Sequence, residues 1–172
     1  TAPAVRAALG EAFGYPVGTC VTGKMPAALH ELGFDDVFEV ARGAELVSPR
    51  IAERVKNRKL HDGVPLISSA CPAILRLMQV RFPELLPNVV DVISPMEAAA
   101  IVARKRMMER TGCDEKDVGV FFITPCAAKM TAIRNPIGHE TSAVDGAISV
   151  LEIYGLLSSH TRSHVMDDSL LK

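Results

Sequence analysis

The chain has 172 residues, 48% of them hydrophobic, and 19 basic against 20 acidic side chains give a formal net charge of -1, so it buries the core of one domain and offers no field for nucleic acid or an anionic membrane. Its strongly apolar runs, such as Val118 to Pro125, fall far short of the roughly 20 residues that cross a bilayer, and no basic-then-apolar leader opens it. The expectation is a soluble, cytoplasmic protein without nucleic-acid or membrane partners.

In chain order, the opening "TAPAVR" has no strand before it and the closing "MDDSLLK" has no element after it, which reads as a fragment of something larger. A helix is expected from about Lys24 through "MPAALHEL" to Gly33. Strand-length apolar runs follow at Val37 to Val40, Val64 to Ile67, Val89 to Ile93, Val118 to Ile123 and Ala147 to Leu151. Between the first two lies the basic cluster "RVKNRK", Arg54 to Lys59, which reads as a solvated helix face. A helix beginning at Pro72 carries Ile74, Leu75, Met78 and Val80 at helical spacing and ends before Phe82-Pro83. In "SPME", Ser94 is placed as N-cap, Pro95 at the first helical position and Glu97 at the capping-box position, and Gly112 ends that helix. Strands alternating with helices predict an α/β fold, a mainly parallel sheet with crossover helices on both faces.

Four cysteines, Cys20, Cys71, Cys113 and Cys126, lie far apart with no C-x-x-C pair, so a disulfide framework is not expected. Cys20 and Cys113 read as small buried fillers. Cys71 and Cys126 differ, because each follows a strand-like run and opens a helix-like one. Ligands gather at the carboxyl ends of parallel strands, and the positive end of a helix favours the thiolate. Three readings stay open for the pair: buried structural thiols, a nucleophile, or soft-metal and iron–sulfur ligation. None of the five histidines carries a signature tying it to either cysteine; His139 lies in a Gly/Pro-containing loop. His160 and His164 share helical spacing without a matching third ligand. Lys129, three residues after Cys126, would set an ammonium beside a thiolate site and suit an anionic or cyanide-like ligand.

At these residues the sequence resembles a family. "SSACPA" around Cys71 is similar to the T-S-C-C-P motif of iron-only (FeFe) hydrogenases, and "TPCAAK" around Cys126 to their M-P-C-x-x-K. "TAPAVRAALGEAFG", "VTGKMPAALHELGFDDVFEV", "RFPELL", "SPME" and "VDGAISVLEI" resemble further stretches in the family's order, over nearly the whole chain. The resemblance implies a lobe of the iron hydrogenase catalytic domain, which holds the H-cluster: a four-iron cubane (4Fe-4S cluster) joined to a di-iron subcluster with CO and cyanide ligands. It implies Cys71 and Cys126 as two of four cubane ligands and Lys129 as the contact to a di-iron cyanide. Ala2 and Pro3 match the loop packed on the diatomic ligands, with Ser94 and Met96 beside the same pocket.

The departures from the family pattern carry their own expectation. Ala70 stands where catalytic members have a proton-passing cysteine, Ala132 where they have glutamate, and Thr124 where they have methionine, while Ile51 and Arg54 fall where relay glutamates are expected. An alanine carries no proton, so the parent is expected to turn over slowly or to act as a hydrogen sensor. The alternative is an iron–sulfur scaffold or assembly protein of the same fold. The third cysteine motif of the family does not occur in the sequence, and neither Cys20 nor Cys113 replaces it, so residues 1–172 are read as a partial H-cluster domain. Such a piece is expected to lack an intact cluster and activity by itself. The partners implied are the missing half of the domain, an electron carrier such as ferredoxin or a fused signalling domain, and a second copy over the uncovered face.

Overall fold

In the computed structural model the described residues are 1–19, 21, 23–57 and 65–170, the side chains of 161–170 apart. Seven α-helices and two strands lie among them: α1 (Val5–Ala12), α2 (Lys24–Glu31), α3 (Val40–Asn57), α4 (Pro72–Arg81), α5 (Pro95–Thr111), β1 (Phe121–Thr124), α6 (Ala127–Arg134), β2 (Gly146–Ser149) and α7 (Val150–Leu170).

β1 and β2 pair in parallel, from Phe121 against Gly146 to Thr124 against Ser149, with α6 as the crossover between them. Consecutive strand residues face opposite sides, and β1 uses both. Phe122 packs with Met96, Ala100, Ile133 and Val144, while Ile123 joins Val5, Leu9, Met25, Leu29, Ile153 and Leu157. The sheet is therefore covered on both faces, as the α/β reading requires. Leu29 and Ile153 are almost wholly buried, and each such side chain stabilises the fold by about 1.5–3 kcal/mol.

The sheet is smaller than the apolar runs predict. Ile67 and Val89 make a single parallel bridge, supported by Ile67 N–H to Asn88 O at 2.9 Å and Val90 N–H to Ile67 O at 2.8 Å; Val64 lies outside the described residues. Residues 37–39 form no strand, and Val40 opens α3 instead. This 18-residue helix contains Gly43 and Pro49, residues that disfavour a helix interior, which hides it from a local reading. Packing decides it, because buried Gly43 lets α3 approach α5 so closely that an added Cβ would come within 2.9 Å of Ala99 Cβ. The run Ala147 to Leu151 is also divided, since Val150 and Leu151 belong to α7. The cluster "RVKNRK" starts on the exposed end of α3, and Arg58 and Lys59 lie outside the described residues.

α5 obeys its sequence signals at the backbone. Ser94 Oγ accepts the Glu97 N–H at 3.3 Å, Pro95 occupies the first turn, and Gly112 ends the helix at φ 72°, in the left-handed region. Cys113, expected as a buried filler, is exposed, because it follows the Gly112 cap where the chain leaves the core. Cys20 lies outside the described residues. No described helix is long and apolar enough to cross a membrane.

Candidate functional site

The two cysteine segments fold alike. Cys71 is the N-cap of α4 at φ -109°, ψ 103°, and Cys126 the N-cap of α6 at φ -99°, ψ 103°. Cys126 follows β1 after Pro125 and Cys71 follows a turn at Ser69–Ala70, and each gives its carbonyl to the first helical turn, Cys71 O accepting from Leu75 N–H at 3.1 Å and Cys126 O from Met130 N–H at 3.2 Å. Serine and threonine hydroxyls hold the approaches. Ser69 Oγ donates to Val92 O at 2.6 Å, and Thr124 Oγ1, wholly buried, accepts the Cys126 N–H at 3.2 Å. Helices α4 and α6 then run beside one another, with Pro72 and Ala128 lining one cleft between their first turns.

The N-terminal loop is fastened to the carboxyl end of β1. Ala2 N–H donates to Ile123 O at 2.9 Å, Val40 N–H to Thr1 O at 3.1 Å, and the Thr1 ammonium to Phe38 O at 2.6 Å. These bonds place Ala2 and Pro3 against the start of α5 and the β1–α6 turn. The result is a cavity of about 300 Å³ whose wall includes Ala2, Pro3, Ala70, Ser94, Met96, Thr124, Cys126 and Lys129.

Six of the seven candidate residues thus meet in one cavity, delivered by the N-terminal loop, α5 and α6. Cys71 is the exception: its immediate neighbour Ala70 lines the wall, while Cys71 itself is exposed and outside the lining. A thiol there is open to a group approaching from outside. Among the described residues no three His, Cys, Asp or Glu side chains converge as a metal site. His160 lies 3.9 Å from the Glu31 carboxylate, and the side chain of His164 is outside those described.

Two residues that sequence reasoning left out of the site border it. A smaller cavity of about 70 Å³ adjoins the first through Ala70, Ser94, Met96 and Lys129, and its wall adds Glu97 and His139. Glu97 was expected to close a capping box. Instead its buried carboxylate turns inward, accepting from Ser142 Oγ and from the Ala143 N–H, each at 2.7 Å. The S-x-x-E spacing concealed this, since it explains the glutamate without any tertiary partner.

A parallel β-α-β unit with a cavity at the carboxyl end of its strand, lined by the cysteine that heads the crossover helix, has the architecture of an α/β domain whose ligand end is the carboxyl end of the strands. Residues 1–166 match the family model of the iron-only hydrogenase large subunit, C-terminal domain. The chain belongs to that family. It is 34% identical over 136 residues to iron hydrogenase 1 of Clostridium pasteurianum, covering 78% of this chain and 24% of that protein. A lower similarity, 26% over 119 residues, relates it to a cytosolic Fe-S cluster assembly factor NAR1 homolog of Schizosaccharomyces japonicus, covering 66% of this chain and 23% of that one. Among solved structures, a single-residue variant of FeFe-hydrogenase HydA1 from Chlamydomonas reinhardtii superposes with a TM-score of 0.78 at 26% identity, covering 93% of this chain and 41% of that one. The chain spans between about a quarter and a third of the length of the curated relatives it matches. The family implies iron–sulfur clusters, the H-cluster among them, in a full-length member.

Proposed function

We propose that this chain is the N-terminal portion of an H-cluster domain whose parent binds hydrogen, either turning it over slowly or sensing it. One observation carries the reading: the cavity that gathers Ala2, Pro3, Ser94, Met96, Cys126 and Lys129 from three separate parts of the chain.

The donor chemistry fits part of the group. Cys71 and Cys126 would supply two of the four soft sulfur donors that a cubane takes, and further chain would supply the others. When bound, the H-cluster supplies the reversible combination of two protons and two electrons into H2. The chain's own residues do the rest. Lys129 presents up to three N–H donors to an anionic ligand, Ala2 and Pro3 form a wall without competing polar groups, and Met96 adds a polarisable thioether. Ala70 has no group that holds a proton, so proton delivery at this position is absent and turnover is expected to be slow. The exposed face of α4, with Ile74, Leu77 and Val80, is the surface offered to the remaining half of the domain or to a second copy. An electron carrier such as ferredoxin, or a signalling domain, completes the proposed cytoplasmic assembly.

A second reading rests on the similarity to an assembly factor: the same fold with a cubane and no hydrogen chemistry. Infrared spectroscopy of the full-length parent, matured with the di-iron cofactor, separates them. CO and cyanide bands that shift under hydrogen are expected, and a turnover assay on that sample then divides enzyme from sensor. Intact cubane iron with no such bands favours the assembly reading. The 172-residue chain alone is expected to show no hydrogen turnover.

A further inference from the structure

A separate cavity, of about 360 Å³, opens on the far side of the apolar core between α1, α2 and α7, and it shares no wall residue with the two cavities above. Its volume falls within the range of small-molecule sites, roughly 300–1,000 Å³. The floor is apolar, from Leu9, Met25 and Leu157, and Phe13 and Tyr15 form the mouth with Lys24. Lys24 Nζ donates to Tyr15 Oη at 2.6 Å and lies 4.6 Å from the centre of the Tyr15 ring. It makes no ion pair among the described residues. Lys24 is also the first residue of α2, whose N-cap is Gly23 without a side-chain cap and whose first turn holds no acidic residue. The ammonium and the positive end of the helix therefore add at the mouth of a greasy pocket.

From a cation without an acidic partner among the described residues, set over an apolar floor, we propose that this cavity is a ligand site for an aliphatic monocarboxylate. The tail lies on Leu9, Met25 and Leu157, and the carboxylate accepts from Lys24 Nζ and from the Tyr15 hydroxyl. The G-K-M stretch that carries Lys24 has no part in the hydrogen site, so this assignment stands apart from that reading.

The test titrates the full chain with octanoate and, separately, with 1-octanol, following backbone amide resonances. Octanoate is expected to shift the amides of α1, α2 and α7 and to bind more tightly than the alcohol. Lys24→Met, on an exposed side chain, is expected to weaken octanoate at least about tenfold and to leave octanol unchanged. Ala28→Phe, which fills the cavity from α2, is expected to weaken both in a variant whose melting curve matches the parent chain. The proposal is overturned by an absence of octanoate binding, by equal octanoate affinity in Lys24→Met, or by shifts mapping to the 300 Å³ cavity or the exposed face of α4.

Discussion

Ala70 lies beside Lys129 in the walls of the 300 Å³ and 70 Å³ cavities, so its side chain decides whether a proton holder stands at that point of the proposed site. Ala70→Cys in the matured parent is expected to raise hydrogen turnover by about 10² to 10⁴, the range general acid–base groups contribute, and an assay of hydrogen evolution with a reduced dye checks it. No gain would assign the slow rate to another position, such as Ala132.

Among the helices, the close crossing of α3 and α5 depends on Gly43. Gly43→Ala drives a methyl onto the Pro95 carbonyl and Ala99; because the steric cost exceeds the helix propensity gained, a loss of about 1–3 kcal/mol is expected. The urea midpoint measures it, and an unchanged midpoint would mean that α3 slides freely on α5. The start of α7 is held by a reciprocal cap. Glu152 N–H donates to Ser149 Oγ at 3.1 Å, and the Glu152 carboxylate accepts the Ser149 N–H at 2.7 Å. The Ser149 N–H, and after it the Ser149 hydroxyl, hold the Glu152 carboxyl below its ordinary pKa of 4.5, with Arg134 contributing less. A lowered acid pKa stabilises the fold above the ordinary value and loses that contribution as pH falls through the folded one. Glu152→Gln is therefore expected to melt earlier at neutral pH and to show a flatter decline below pH 4.5, which thermal melts at stepped pH will reveal.

For the whole molecule, local signals and tertiary decisions separate cleanly. The helix starts at Pro72 and Pro95, the Gly112 stop and the parallel pairing of an α/β chain were legible, because caps and strand-to-helix junctions are written within a few residues. So was the meeting of Ala2, Ser94, Cys126 and Lys129, through the family resemblance. Where two cysteines head helices, and which residues flank them, follows from the order of residues alone, since those are properties of neighbours along the chain. It took the folded chain to make residues 40–57 helical around Gly43, to turn Glu97 inward to Ser142, to face Cys113 to solvent and to leave Cys71 outside the cavity Cys126 lines. Each of these depends on contacts between distant segments, where packing and the need to pair buried polar groups outweigh local preference.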